Sequence, residues 1–337
     1  DEFEEIKELI YKFAEENPNL YHGVGCFDKE KGVEASDKPS YSKMFGDTIV
    51  NMAEKNKKIV AITAAMPDGT GLTQFMQKFP ERFFDVGIAE EHAVTFSSGL
   101  AKNGMIPFFA VYSTFLQRSY DQLVHDVAMQ DLKVIFGIDR AGFVGEDGES
   151  HQGVFDTAYL MSVPNLSVFA PSSFDELREM MYQAAYRENH AVAIRYPRGG
   201  QGKIIDGYKY ERADFDTFGD TNAEKCVVGF GREFLNVYDA LGELDNTFAI
   251  KLNRIKPIHP NVLDLLKNVT TVYFFEEGIK SGGVGECFGS MLAESDVTAK
   301  FRHICIEDEF IKQASVDSQL KKYRLDKESI IDIVNQD

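Results

Sequence analysis

Apolar residues in this chain fall into short continuous runs that alternate with stretches of helical spacing. The runs of strand length before Pro197 are KIVAIT, IPFFAV, KVIFGID, LSVFAP and AVAIRYP. Helical spacing at i, i+4, i+7, i+8 and i+11 is found for Leu116, Tyr120, Leu123, Val124 and Val127. A second helix is predicted over Ser173–Arg187, where Ser173 can cap the first turn. Continuous apolar strands separated by helices predict a parallel sheet covered on both faces.

The glycine-rich stretch Pro197–Gly207 interrupts this alternation and is predicted to be a linker. Beyond it the strand-like runs CVVGFG, NTFAIKL, TVYFFEE and RHICIED alternate with helices near residues 234–244, 260–267 and 285–294. The pattern predicts an α/β protein with two consecutive open, largely parallel-sheet domains. We expect these domains over residues 39–200 and 205–337, with residues 1–38 as a linker or the remnant of a missing N-terminal domain.

The net charge and the cysteine spacing argue against certain partners and binding sites. The formal net charge of −18 disfavours nucleic acid as a partner, because a phosphate backbone would be repelled. The four cysteines are widely spaced and form no C-x-x-C pair, so neither a disulfide framework nor a zinc site is predicted. Buried reduced thiols are typical of a cytoplasmic protein. No apolar run is long enough to span a bilayer, so we expect no membrane association.

Polar clusters follow several of the predicted strands of the first domain. In open parallel sheets ligands bind beyond the carboxyl ends of the strands, so these clusters predict a site at one sheet edge. The clusters are Ala65–Gly71, Glu90–His92, Tyr112–Arg118, Arg140–His151 and Arg195–Arg198.

The cluster in DVGIAEEHAVTF contains two adjacent glutamates, Glu90 and Glu91. Acidic residues favour a helix N-terminus because of its dipole, and that alone accounts for them. Alternatively, a carboxylate beneath Ala89, Ala93 and Phe96 is partly removed from water and suited to sharing a proton with a ligand.

Other side chains at this edge also have two interpretations. Arg140, Arg195 and Arg198 are either solvated surface charges or forks that bind a phosphate group. Phe115 is either a core aromatic or a ring that stacks on a heterocycle. His151 either caps a loop or acts as an acid–base group. No EF-hand, P-loop, G-x-G-x-x-G or G-x-S-x-G pattern is present.

Five segments, in order, resemble the 1-deoxy-D-xylulose 5-phosphate synthase family of the transketolase superfamily. They are PSYSKMFG, FDVGIAEEHAVTFSSGLA, VYSTFLQRSYDQLVHDVAMQ, IDRAGFVGEDGESHQGVFD and RYPRG. The resemblance runs from about Tyr21 to the C-terminus and is strongest over Pro39–Gly199. It implies a pyrimidine-binding domain followed by a transketolase C-terminal-like domain. It also implies thiamine diphosphate as cofactor and condensation of pyruvate with D-glyceraldehyde 3-phosphate, with loss of carbon dioxide, in non-mevalonate isoprenoid synthesis.

The resemblance also implies roles for individual residues. Glu90 matches the carboxylate that shares a proton with the aminopyrimidine ring, and Phe115 and Met66 match cofactor-binding positions. The positions that hold the substrate phosphate are Tyr112, Arg140 and Arg198. The remaining positions, matching polar groups that support catalysis, are Arg118, Asp147, His151 and His22.

One element of the family is absent from the sequence. The superfamily holds Mg²⁺ and the diphosphate through a G-D-G motif and a later Asn in an N-terminal domain, and FGDT and FGDTN contain only fragments of that motif. We therefore expect no metal site in this chain. The Mg²⁺ ligands would belong to a missing N-terminal diphosphate-binding domain. The chain would then be truncated, cleaved or given without part of its sequence, would be inactive alone, and would be part of a homodimer.

Two alternatives remain open. The β-type subunit of a 2-oxo acid dehydrogenase has this two-domain layout, but YSTFLQR and the DRAG–HQG loop fit it poorly because its acceptor is a lipoyl group. A non-catalytic oligomerisation or sensing module is the other alternative, against which the intact set of polar residues argues.

Overall fold

The computed structural model describes residues 11–16, 21, 28, 32 and 38–336. The chain divides into two compact units, Asp1–Pro39 and Ser40–Asp337. In the first unit, the described residues include a helical turn over 11–16 and an antiparallel bridge between Asp28 and Gly32. The second unit contains the sheets described below.

Two sheets organise the second unit, and both are mostly parallel. The first has seven strands in the order β10-β5-β6-β4-β3-β1-β2, and the second has five in the order β12-β11-β8-β9-β7. The antiparallel pairs are β10 with β5 and β7 with β9. The strands are β1 Ile59–Thr63, β2 Phe83–Asp85, β3 Ile106–Tyr112, β4 Ile135–Asp139, β5 Leu166–Phe169, β6 Ala191–Arg195, β7 Phe215–Phe218, β8 Lys225–Phe230, β9 Thr247–Leu252, β10 Arg254–Lys256, β11 Thr271–Ile279 and β12 Lys300–Ile306.

Helices connect the strands and cover the sheets. Ser40 and Ser173 cap the first helix of this unit and the helix before β6, each by accepting a hydrogen bond from a backbone N–H of the first turn. The α-helices are Tyr41–Lys55, Thr73–Lys78, Glu90–Lys102, Ser113–Leu116, Tyr120–Gln122, Asp156–Ser162, Phe174–Tyr186, Glu233–Leu241, Val284–Ala293, Val316–Lys322 and Lys327–Asn335. The shorter helical turns are Pro80–Arg82, Gln117–Ser119, Gly145–Asp147, Glu149–His151 and Pro260–Leu266, and Leu123–Ala128 is a π-helix.

The first sheet is buried on both faces, as its continuous apolar strands predict. Successive residues of a strand point to opposite faces, so Ile59 and Ala61 pack into one apolar cluster while Val60 and Ile62 pack into another. The second of these clusters continues to Val228 and other residues of the second sheet. A single apolar core thus joins the two sheets.

The predicted fold class is confirmed, with several local differences. The predicted helix from Leu116 to Val127 is not one continuous α-helix. Gln117–Ser119 is a 3-10 turn, and Leu123–Ala128 is a π-helix with a hydrogen bond from Met129 N–H to the carbonyl of Val124, five residues earlier. The short edge strands β7 and β10 and the last two helices were not predicted. Edge strands of three or four residues carry too little apolar periodicity to be recognised. No helix in the described residues is long and apolar enough to cross a membrane.

Candidate active site

The carboxyl ends of the parallel strands bring the polar clusters to one edge of the first sheet. The strand order reverses between β1 and β3, which are hydrogen-bonded neighbours although β2 lies between them in sequence. Such a reversal opens a crevice in which α/β proteins bind ligands. Ala65–Gly71 follows β1, and Tyr112 ends β3.

Glu90 is the first residue of the helix Glu90–Lys102, and its side chain is only 2% exposed. Arg118 Nη1 donates a hydrogen bond of 2.7 Å to Glu90 Oε1. A buried carboxylate needs such a partner because desolvation of an unpaired charge is costly. Glu91 is exposed on the same helical turn. The two adjacent glutamates therefore have different environments, and only Glu90 faces the protein interior.

Arg118 also contacts a set of rings beside Glu90. Its guanidinium carbon lies 4.9 Å from the centroid of the Phe115 ring. Phe115 stacks on Tyr112 with centroids 5.7 Å apart, and His151 meets the Phe115 ring edge-on at 5.5 Å. The carboxylate, the guanidinium and the three rings form one continuous group of side chains.

Arg140 extends this group away from Glu90. Its φ of +62° is unusual for a residue other than glycine, and its guanidinium carbon lies 3.6 Å from the Tyr112 ring centroid. The Asp147 carboxylate lies 3.0 Å from Arg198 Nε and 3.7 Å from Arg140 Nε. Two guanidinium groups thus converge on one carboxylate, and their planar N–H donors are of the kind that bind phosphate groups.

The buried Asp139 carboxylate pairs with Arg140, and the half-buried Ser42 binds Asp139 in turn. Arg140 Nη1 lies 3.1 Å from Asp139 Oδ1, and the Ser42 hydroxyl donates to Asp139 Oδ2 at 2.6 Å. Burial raises the pKa of Asp139, although Arg140 and Ser42 act in the opposite direction. Burial also raises the pKa of Tyr112, so its phenol keeps its proton as a donor at neutral pH.

The loop after β1 approaches the site closely. Arg140 Nη1 donates to the carbonyl of Gly69 at 3.1 Å. A Cβ atom on Gly69 would lie 1.8 Å from the Tyr112 hydroxyl, so a larger residue there would displace the Tyr112 side chain. Met66 lies in the same loop, half-buried, and its carbonyl accepts from both N–H and hydroxyl of Thr70.

Two of the predicted residues are not part of this group. His22 lies outside the described residues. Arg195 was one interpretation of a phosphate fork, and that interpretation is wrong. Its guanidinium forms a buried bidentate ion pair with Asp156, at 3.0 and 3.1 Å. Two N–H donors of that guanidinium are already used by the Asp156 carboxylate, so Arg195 has a structural role.

Sequence reasoning missed Ser42, Gly69 and Asp139. Asp139 carried a signal, since it is a charged residue ending the apolar run KVIFGID. Gly69 lies within the predicted cluster Ala65–Gly71 and Ser42 within the segment PSYSKMFG, but no pattern singled out either residue. Among the described residues, no group of three or more His, Cys, Asp or Glu side chains is arranged to hold a metal ion.

Two families match the chain over most of its length. Residues 37–201 match the family described as transketolase, pyrimidine binding domain. Residues 220–330 match the family described as transketolase, C-terminal domain.

Individual relatives agree with these matches. The chain is 45% identical over 336 residues to 1-deoxy-D-xylulose-5-phosphate synthase of Clostridium beijerinckii, covering 96% of this chain and 53% of the relative. It is 44% identical over 337 residues to the synthase of Caldanaerobacter subterraneus subsp. tengcongensis, covering 97% of this chain and 53% of the relative. The chain thus spans about half the length of the curated relatives it matches.

Solved structures share the fold. A split gene transketolase, described as an inactive beta4 tetramer, superposes with a TM-score of 0.78 at 23% identity and covers 89% of this chain and 98% of its own. Transketolase of Pichia stipitis superposes with a TM-score of 0.74 at 15% identity, covering 98% of this chain and 52% of its own. The transketolase domains and the synthase relatives both imply dependence on thiamine diphosphate. The chain therefore belongs to the transketolase superfamily, with a pyrimidine-binding domain followed by a C-terminal domain.

Proposed function

We propose that this chain supplies the pyrimidine half of a thiamine-diphosphate site that condenses pyruvate with D-glyceraldehyde 3-phosphate. The products would be 1-deoxy-D-xylulose 5-phosphate and carbon dioxide, the first step of non-mevalonate isoprenoid synthesis. The observation that carries the proposal is the buried Glu90 carboxylate, which Arg118 connects to the Phe115 ring at the carboxyl edge of the sheet. The synthase relatives support this choice of substrates over others in the superfamily.

The side chains near Glu90 suit the cofactor. A buried carboxylate can share a proton with a ring nitrogen of the aminopyrimidine, and Arg118 orients that carboxylate through Oε1. Phe115, half-buried, offers a ring for stacking, with Met66 from the neighbouring loop as a second apolar contact. When bound, thiamine diphosphate supplies the electron sink for decarboxylation and carbon–carbon bond formation.

The side chains near Arg140 suit the phosphorylated substrate. Arg140 and Arg198 would bind its phosphate, and the Tyr112 phenol would donate a further hydrogen bond. Asp147, between the two guanidinium groups, would hold them in place. His151 lies against Phe115, where it can move a proton to or from the reacting groups, and we assign His22 a similar supporting role.

The other half of the site belongs to a separate diphosphate-binding domain in this proposal. The chain spans 53% of each synthase relative described above, and 98% of the split gene transketolase chain. We assign Mg²⁺ and the diphosphate to that domain, which would join this chain in a homodimeric, cytoplasmic enzyme. We also propose residues 39–200 and 205–337 as the two domains, with residues 1–38 as the connection to the diphosphate-binding domain.

The first prediction tests Glu90. With the diphosphate-binding domain supplied, Glu90→Gln should lower turnover at least about a hundredfold, because a positioned acid–base group contributes on that scale. Glu91→Gln is the matched control, since its side chain is exposed on the same turn and should leave turnover within about twofold of the parent. Near-normal turnover by Glu90→Gln would refute the assignment.

The acceptor distinguishes this function from that of a 2-oxo acid dehydrogenase β-type subunit. The assembled protein should use D-glyceraldehyde 3-phosphate and not a lipoyl domain as the acceptor of the two-carbon unit. Preference for the lipoyl domain would favour the dehydrogenase. Absence of turnover with both acceptors, despite an intact complex, would favour a non-catalytic module.

A further inference from the structure

The segment 140–153, called here the site loop, carries Asp147 and His151 but contains no regular strand. Its ends are joined by two backbone hydrogen bonds, from Gly142 N–H to Gly153 O at 2.7 Å and from Gly153 N–H to Gly142 O at 2.9 Å. Between these residues the backbone has only short helical turns. Contacts outside the loop must therefore fix much of its conformation.

An ion pair on the second sheet's side supplies such contacts. Arg232, just before the helix Glu233–Leu241, binds the carboxylate of Glu277 in β11, with 3.0 Å between Nε and Oε1 and a second bond from Nη2 to Oε2. Glu277 Oε2 accepts from Phe143 N–H at 3.0 Å. Arg232 Nη2 donates to Phe143 O at 3.1 Å. One ion pair thus binds both polar groups of the Phe143 backbone.

Close packing leaves the loop little freedom at this point. A Cβ atom on Gly142 would lie 2.3 Å from Glu277 Oε2, so the carboxylate lies directly against the loop backbone. The Phe143 ring stacks on Tyr323 with centroids 5.5 Å apart. A Cβ atom on Gly145 would lie 3.1 Å from the Val316 side chain. The loop is therefore supported along the side facing the second sheet.

The opposite side of the loop contributes to the candidate active site. Asp147, four positions after Phe143, meets Arg140 and Arg198 there, and His151 meets Phe115. A charge-assisted hydrogen bond to the loop backbone is stronger than a neutral one, and it is directional. A change at the ion pair therefore reaches the site through the loop backbone.

We propose that the Arg232–Glu277 ion pair is a positioning device that holds the site loop in the conformation that places Asp147 and His151. Neither residue of the pair is assigned a contact with substrate or cofactor. The inference rests on the proposed function for its consequence in catalysis. The loop geometry itself is testable without substrate.

The first experiment measures amide hydrogen exchange of the full chain. In Glu277→Ala, exchange of a peptide covering residues 141–148 should accelerate at least tenfold, while a peptide covering β6 exchanges at the parent rate. Glu277→Gln keeps an acceptor for Phe143 N–H, so it should accelerate the loop less than Glu277→Ala and tests the same point if the alanine variant does not fold. Lys312→Met, which removes an exposed ion pair with Glu149 of the same loop, should leave exchange at 141–148 unchanged.

Equal acceleration of the loop and β6 would overturn the proposal, because the pair would then act on global stability. Unchanged exchange in both Glu277→Ala and Glu277→Gln would overturn it as well.

A second experiment uses the complex with the diphosphate-binding domain. There Glu277→Gln should raise KM for D-glyceraldehyde 3-phosphate more than threefold while KM for pyruvate stays constant, because Asp147 contacts the proposed phosphate-binding arginines.

The two proposals fail in different ways. Local acceleration of the loop in a protein whose turnover is insensitive to Glu90→Gln would leave the positioning device intact and refute the proposed function. A turnover sensitive to Glu90→Gln, with no loop response to Glu277→Ala or Glu277→Gln, would refute the positioning device alone.

Discussion

At the scale of single residues, burial separates side chains that the sequence places side by side. Glu90 and Glu91 are identical in type and adjacent, yet one is 2% exposed and bonded to Arg118 while the other faces solvent. The same applies to Arg195 and Arg198, since the first is buried against Asp156 and the second reaches Asp147. A one-letter pattern gives residue type, and the environment decides which residue of a pair is available for chemistry.

Glu233 is a residue whose environment predicts a pH effect. Burial, followed by the charge of Glu277, raises the pKa of Glu233 well above 4.5, while Asn236 and Arg232 act in the opposite direction and Asp326 adds to the rise. The folded protein therefore holds this proton more tightly than the unfolded chain. The contribution of this bound proton to the free energy of unfolding is complete below pH 4.5 and is lost as the pH rises through the folded-state pKa of Glu233.

Glu233→Gln removes this titration. The free energy of unfolding of the variant, relative to the parent, should therefore increase as the pH rises from about 5 to about 8. Urea denaturation at both pH values measures the difference. A difference between variant and parent that stays constant with pH would contradict the prediction.

At the scale of elements, close backbone approaches shape the site loop. The bridge between Gly142 and Gly153 brings the start and end of the loop together. A Cβ atom on Gly153 would lie 2.0 Å from the carbonyl oxygen of Arg140, a backbone atom that cannot rotate away. The loop geometry thus depends on a residue without a side chain at this position.

Gly153→Ala should accordingly lower the free energy of unfolding by about 1–3 kcal/mol, the scale of overpacking. Gly99→Ala is the matched control. Gly99 lies within the helix Glu90–Lys102, and among the described residues nothing lies within 4 Å of a Cβ atom built there. That control should be neutral or stabilising by up to about 1 kcal/mol, because alanine favours helix over glycine. Denaturant unfolding measures the free energy of unfolding of both variants. An equal change in Gly153→Ala and Gly99→Ala would contradict the steric argument.

At the scale of the whole second unit, the two sheets are connected by more than the chain. Strand β10 follows the second sheet's β9 in sequence but pairs with β5 at the edge of the first sheet. Lys251 of β9 binds Glu176 of the helix Phe174–Tyr186 at 2.8 Å, and both side chains are buried. These connections hold the two sheets in a defined position relative to each other. The site loop depends on that position, because it is supported from both sides.

Lys251→Met should be strongly destabilising, by roughly 3–5 kcal/mol, because it leaves the Glu176 carboxylate buried without its charged partner. Adding Glu176→Gln should recover part of that loss. Lys327→Met is the control, since its ion pair with Glu243 is exposed and contributes little to stability. The measurement is the free energy of unfolding in urea. Similar losses of unfolding free energy for Lys251→Met and Lys327→Met would show that the buried ion pair stabilises the protein no more than the exposed one.

The fold class and most of the strands can be predicted from the amino-acid sequence alone. The hydrophobic periodicity and the length of the segments are sufficient to predict a buried parallel sheet, because its strands are continuous apolar runs. The carboxyl ends of such strands meet at one edge of the sheet. The sequence also placed Glu90, Tyr112, Phe115, Arg118, Arg140, Asp147, His151 and Arg198 near that edge, where the structure brings them into contact with one another.

Which of these groups face each other, and which residues support them, depends on the packing of the folded protein. Three hydrogen-bonded pairs join residues that are 39 to 134 positions apart: Arg195 with Asp156, Ser42 with Asp139, and Phe143 with Glu277. Local periodicity carries no information on contacts at such separations, because they depend on how the helices and the two sheets pack. The distinction between a charge that binds a ligand and a charge that holds the protein together is settled by that packing.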